Sequence, residues 1–295
     1  MTRTLTVLAP GPLTTVQDDG RPGQAALGIG RSGACDRASA ALANRLVGNP
    51  VDAALLEVTF GGLALRADGD LLVVSTGARC PGAPHAAPTV LRAGSELRLG
   101  APVSGLRSYL AVRGGIDVPP VLGSRATDLL SGLGPAVLAA GDVLPIGPPA
   151  ASLPGVDLAP VADPPAGEVT VPVLRGPRDD WFGDPGWADL TRQAWTVTSE
   201  SNRVGLRLDG PPLTRLRSGE PVPQSTAMFG SGLVVASVGS GRTRAGVPPS
   251  SPLWTLADGS FQNWASRPVV AIVRVVALTV GVTADGPARL SAETR

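Results

Sequence analysis

Thr14, Thr15, Gln17, Asp18 and Arg21, followed by Ser32, Asp36 and Arg37, place hydroxyl, amide, carboxylate and guanidinium groups within one Gly/Pro-rich stretch, Leu8 to Gly62. Ordered polar side chains on loops held by a rigid frame are where binding and chemistry concentrate. A second span runs from Arg113-Gly114-Gly115-Ile116-Asp117 to Gly123-Ser124-Arg125-Ala126-Thr127-Asp128. Its amides, two hydroxyls and guanidinium suit a carboxylate or carbonyl-rich ligand. A structural loop with Arg125 bonded to backbone carbonyls reads equally well. Asp179 and Asp180 are either paired general acid/base carboxylates or, since neighbouring side chains diverge, a cap on a helix beginning near Trp181.

Other chemistries are excluded or reduced by composition. Every one of the 25 basic side chains is arginine, so no lysine Schiff base, lysine general base or P-loop lysine exists in this chain. The single histidine, His85 in CPGAPHAAP, rules out a multi-histidine metal site and leaves metal ligation unexpected. Cys35 precedes a helix start, where a thiol pKa falls, but no base is near in sequence; Cys35 and Cys80 read as small packed residues. A net charge of +1 gives no electrostatic reason to expect nucleic acid or a membrane surface. No apolar run reaches spanning length and MTRTLTVLAPGP lacks a signal-type apolar core, so a cytoplasmic location is expected.

At 295 residues with 43% apolar residues, two cores are expected. Asp36 is an N-cap before an Ala-rich helix running to Val47, stopped by Gly48-Asn49-Pro50. Short strands separated by Gly, Pro or Asp surround it: Thr4–Leu8, Thr14–Gln17, Leu55–Phe60, Leu63–Ala67, Asp70–Thr76, Thr89–Leu91, Glu96–Leu99 and Leu106–Arg113. AGSELRLG at Ala93–Gly100 echoes AGDVLPIG at Ala140–Gly147, a turn-strand unit of the sort that closes barrels and sandwiches. The Pro/Ala-rich stretch 148–167 reads as a linker between an N-terminal β domain, 1–147, and a C-terminal β domain, 168–295.

PGPLTTVQDDGRPG, SGACDRASAALANRLVGNP, LEVTFGG, YLAVRGGIDVPPVLGSRATD, GPRDDWF and SNRVGLRLDGPPL resemble the allophanate hydrolase subunit 2, or biotin-dependent carboxyltransferase-like, family over about residues 4 to 220. The resemblance implies a mainly β protein with a few short helices, built as two cyclophilin-like β-barrel domains. It also implies a component of a 5-oxoprolinase-type complex that opens the lactam of 5-oxo-L-proline to L-glutamate at the expense of ATP. The partners implied are a subunit-1-type (KipI-like, B-type) protein and an A-type subunit. No cofactor is expected on this chain itself, ATP being implied for the complex. Two other roles exist within the family: a carboxyltransferase component acting on urea- or allophanate-like amides with a biotinylated partner, and a non-catalytic module binding a KipI-like kinase inhibitor.

On this reading Asp18, Asp36 and Asp117 are the candidate catalytic carboxylates, and Thr15, Gln17, Arg21, Ser32, Arg113, Ser124 and Arg125 the candidate substrate-binding groups. An arginine would hold a substrate carboxylate, and hydroxyls and amides would polarise a carbonyl. The sequence departs from the family pattern after Ala78 and, more extensively, after Pro223, where the expected GAIQVPPDG-like and TTGGYP-like motifs are absent.

Overall fold

A computed structural model of the chain describes residues 3–150, 152–164, 168–173, 181–192, 194–197, 201–203 and 205–216, with strand segments 232–236, 254–255, 261–262 and 271–276. The described residues up to 164 form one compact unit and those from 168 onward a second.

Two antiparallel sheets make the first unit. One runs β7-β4-β1-β9, from β1 (Thr4–Pro10), β4 (Leu63–Ala67), β7 (Glu96–Arg98) and β9 (Val143–Pro145). The other runs β2-β3-β8-β5-β6, from β2 (Leu13–Gln17), β3 (Leu55–Thr59), β5 (Leu71–Gly77), β6 (Thr89–Leu91) and β8 (Arg107–Val112). Strand alternation sorts the side chains between layers. Leu56, Val58, Leu110 and Val112 meet Leu5, Val7, Leu63 and Leu65 of the first sheet in the larger core. Their neighbours Leu55, Tyr109 and Ala111 point the other way, into a second core roofed by helix α1 (Arg37–Leu46). Ala40 and Ala43 let that helix lie close to the sheet, and each buried Leu or Val contributes about 1.5–3 kcal/mol.

Helix α1 begins where the sequence predicts. Asp36 accepts hydrogen bonds from the Ser39 amide (3.0 Å) and hydroxyl (2.6 Å). The Pro/Ala-rich stretch is tied to the first unit through its later residues: Ala159 donates to the Ala86 carbonyl (2.8 Å), and Asp163 pairs with Arg79 (2.9 Å).

In the second unit β10 (Glu168–Val173), β11 (Ala194–Val197), β12 (Gly205–Asp209), β13 (Gly232–Ala236) and β16 (Ala271–Val276) form one sheet, order β10-β16-β11-β12-β13. Its β11/β16 pair is parallel and the others are antiparallel. Helix α2 (Gly183–Arg192) accompanies it, and Leu190, Trp195 and Leu208 share its core. Segments β14 (Trp254–Thr255) and β15 (Phe261–Gln262) pair separately.

The expectation of mainly β, cyclophilin-like barrels is corrected by this topology. The fold is mixed α/β, with antiparallel sheets and short helices, and no barrel closes among the described residues. Closure requires the two edges of a sheet to pair with each other. Here the echoing units supply β7 and β9, which are the opposite edges of one open sheet. The outer edge of β2 is met by loop amides instead of a strand: Thr127 donates to the Val16 carbonyl (2.9 Å) and Leu138 to that of Thr14 (3.0 Å). No helix among the described residues is long and apolar enough to cross a membrane.

Candidate functional site

Strand β2 ends in the residues that organise the site. Beyond Gln17 the chain leaves the sheet in a loop whose base is pinned by Arg21 donating to the Arg31 carbonyl (2.7 Å) and Ala34 to that of Asp18 (2.9 Å). Gly20 and Gly33 sit face to face in that base, both at positive φ. A Cβ on Gly20 would lie 2.3 Å from the Arg31 carbonyl oxygen, so the close approach needs glycine.

Asp18 joins this loop to the one after β8. Its Oδ1 accepts from the Gly20 amide and the Ser124 hydroxyl, both at 2.7 Å, and its Oδ2 accepts from the Arg125 amide at 2.6 Å. Arg125 in turn donates to the Val118 carbonyl (2.6 Å) and to Asp117 (2.8 Å). Arg21, 1% exposed, donates to the carbonyls of Ala126 (2.6 Å) and Val121 (3.4 Å), with Asp128 at 3.9 Å. Burial opposes ionisation of Asp128, but hydrogen bonds from Ser131, Ser32 and Leu130 outweigh it and hold the carboxyl below its ordinary value. Gln17 is fully buried; its Nε2 donates to Thr15 Oγ1 and to the Thr127 carbonyl, both at 3.0 Å. Gln17 Oε1, Arg21 Nη1 and Thr127 Oγ1 are buried without hydrogen-bond partners among the described residues.

A second polar chain lies under the start of α1. Glu57 and Tyr109 face each other across β3 and β8, and both are buried. Glu57 Oε2 accepts from the Tyr109 hydroxyl (3.0 Å) and the Cys35 amide (2.8 Å); Tyr109 Oη accepts from the Asp36 amide (2.6 Å). Arg107 Nε lies 3.5 Å from Glu57 Oε1. Burial first, and the Glu57 charge second, push the Tyr109 phenol far above its ordinary value, so it remains a neutral donor.

Between these features lies a cleft of about 490 Å³, bounded by the ends of β2 and β3, by α1 and by the turn through Asp52. This is the size of a small-molecule site.

The carboxyltransferase domain model, subdomains A and B, matches residues 27–239. The chain belongs to the carboxyltransferase domain family. The C-type subunit of Escherichia coli (strain K12) 5-oxoprolinase is 39% identical over 220 residues, covering 72% of this chain and 70% of that one. Urea amidolyase of Lachancea kluyveri is 38% identical over 229 residues, covering 70% of this chain but 12% of that protein. Among solved structures, TTHA0988 superimposes with a TM-score of 0.63 at 35% identity, covering 72% of this chain and 43% of that one. The K. lactis urea amidolyase does so with a TM-score of 0.62 at 33% identity, covering 72% of this chain and 14% of that one. The chain therefore spans most of the bacterial protein and a minor part of the urea amidolyases.

Within this carboxyltransferase domain, the structure brings together Thr15, Gln17, Asp18, Arg21, Ser32, Asp117, Ser124 and Arg125. Asp36 belongs to the Glu57–Tyr109 chain and caps α1. Arg113 lies at the other end of α1, where its Nη1 donates to the Val47 carbonyl (3.1 Å), about 15 Å away for a ten-residue helix. Asp179 and Asp180 lie outside the described residues, as does most of the stretch after Pro223. Neither cysteine is in a disulfide. Burial raises the Cys80 thiol pKa, against the effect of its Ser108 contact.

Glu57, Tyr109 and Asp128 are functional candidates that the sequence did not single out. Glu57 did carry a signal, being the one charge inside the apolar run LLEVTF, where a buried charge requires partners. Asp128 closes the span that supplied Ser124 and Arg125.

Proposed function

We propose that this chain is the C-type component of an ATP-dependent 5-oxoprolinase-type complex, opening 5-oxo-L-proline to L-glutamate with A- and B-type partners. The observation that carries the reading is the 39% identity to the C-type protein of E. coli 5-oxoprolinase, over 70% of its length. ATP is assigned to the assembled complex, and the absence of a P-loop lysine from this chain is consistent with that assignment. Arg125 commits Nε and one terminal nitrogen to internal acceptors, and its other terminal nitrogen takes the substrate carboxylate. Asp18 holds that arginine's backbone and Ser124 in register, and Asp117, half exposed beside Arg125, serves as the proton-handling carboxylate.

Co-expression with A- and B-type partners, followed by assay of 5-oxoproline-dependent ATP hydrolysis, tests this. Activity undiminished when this chain is left out would refute it. The 38% identity to urea amidolyase favours a second reading, an amide carboxyltransferase component served by a biotinylated partner. Capture of a biotinylated protein with this chain on avidin, with no response to 5-oxoproline, would select that reading.

A further inference from the structure

Residues 152–164 lie in the stretch that the sequence marks as a linker, yet they run over the second core as a strap. Ala159 and Val161 pack against that core, as do Leu42 of α1 and Leu72 of β5. Both ends of the strap sit against glycines. A Cβ on Gly48 would lie 2.7 Å from the Ser152 carbonyl oxygen, and one on Gly105 would lie 2.8 Å from Pro164 Cγ. Between those ends, two polar contacts hold it among the described residues: Ala159 donates to the Ala86 carbonyl (2.8 Å), and Asp163 pairs with Arg79 (2.9 Å). Both members of the ion pair are half exposed, so that pair contributes little.

The corner beneath this part of the strap is loaded in two ways. Ala86 has φ +52°, the left-handed region that a Cβ disfavours. Such a conformation persists where neighbouring contacts over-determine it. Here its amide donates to the Ser75 carbonyl (2.7 Å), and its carbonyl takes the Ala159 amide. The residue before it, His85, is 9% exposed, and neither ring nitrogen has a hydrogen-bond partner among the described residues. The charges that act on the ring are Arg79 on its own loop and Asp163 on the strap. From β5 it meets Ser75, which is uncharged and whose amide and hydroxyl are both donated to the Pro84 carbonyl. A proton taken up here places a cation in a buried position beside Arg79, and the one opposing charge, Asp163, is already committed to that arginine.

We propose that the Ala159–Asp163 part of the strap is a proton-released latch: protonation of His85 detaches it from the second core and frees the chain that leads on to β10. The released form gives the imidazolium water and separates it from the Arg79–Asp163 pair. It therefore binds the proton more readily than the latched form, and its population rises as pH falls. The device is separate from the assigned reaction and stands without it.

Hydrogen exchange of the full chain, read as the protection factor of the Ala159 amide at about pH 7.5 and 5.5, is the test. Protection is expected to fall about five- to tenfold between the two, with the β3 amides exchanging more slowly than Ala159 throughout. His85→Phe keeps a buried ring that takes up no proton, and Ala159 protection in that chain should change by less than about twofold. His85→Gln supplies a second replacement without charge, and the wild-type measurement requires no variant to fold. Ala159 protection that is flat with pH overturns the proposal. So does protection lost only in step with the β3 amides, or an equal decline in either folded His85 variant.

Discussion

Asp18 Oδ1 lies 2.7 Å from Ser124 Oγ, a contact that joins residues 106 positions apart and fastens the loop after β2 to the loop after β8. Asp18→Ala takes acceptors from the Gly20 and Arg125 amides as well as from Ser124. Hydrogen bonds to a charged group are worth about 1.5–3 kcal/mol each, and partners left unmatched add to the loss. Urea unfolding of Asp18→Ala is expected to show a loss of about 3 kcal/mol. A double-mutant cycle with Ser124→Ala should give a coupling of about 1 kcal/mol. Strict additivity would show that the two residues are not energetically linked.

Tyr109 is the next test. Its phenol pKa is raised above an ordinary value of 10.0, so above pH 10 the unfolded chain releases this proton while the folded chain keeps it. Folding stability therefore falls as pH rises past 10. Tyr109→Phe is expected to cost about 1–2 kcal/mol near neutrality, from the lost bonds to Glu57 and Asp36, and to flatten this alkaline decline. Denaturant midpoints measured from about pH 8 to 11 in both chains supply the comparison.

On the acid side, His85 acts in the opposite sense. Burial first, with Arg79 second, lowers its imidazole pKa below 6.5, while Asp163 acts against them. Neither ring nitrogen has a hydrogen-bond partner among the described residues. Below pH 6.5 the unfolded chain takes up a proton that the folded chain resists, and stability is lost as pH falls through this range. His85→Phe should show a shallower loss between about pH 7 and 5 than wild type. Parallel slopes would refute this account.

Gly134 gives a steric prediction. It has φ +82°, and a Cβ there would lie 2.2 Å from the Ala126 carbonyl oxygen, the group that accepts from Arg21. Gly134→Ala is expected to destabilise by about 1–3 kcal/mol and to loosen the Arg21 contact. Increased hydrogen exchange across residues 125–135, with β4 and β5 unchanged, is the diagnostic pattern.

The local features were legible because their causes are local. Asp36 before an Ala-rich run announced α1, and β4 and β6 match the residues that Gly, Asp and Pro set off. The members of the site were also visible as residue types, but their grouping was not. Asp18 meets Ser124, Gln17 meets Thr127 and Arg21 meets Ala126 only through the sheet pairing that returns the chain to β2. Arg113 shows the converse, since closeness in sequence to Asp117 placed it in the site while its contacts put it at the far end of α1. The barrel expectation failed for a related reason. A turn-strand unit records how an edge begins, and it carries no information about which other edge, if any, will pair with it.

The outer edge of β2 carries a further consequence. The strand that presents Gln17 and leads into Asp18 also supplies, through the carbonyls of Thr14 and Val16, the anchors for Leu138 and Thr127 on the opposing loop. The loop after β2 and the loop after β8 are thus both anchored on one strand, and a displacement of that strand moves both anchors together. A substitution that shifts β2 therefore acts on both loops at once.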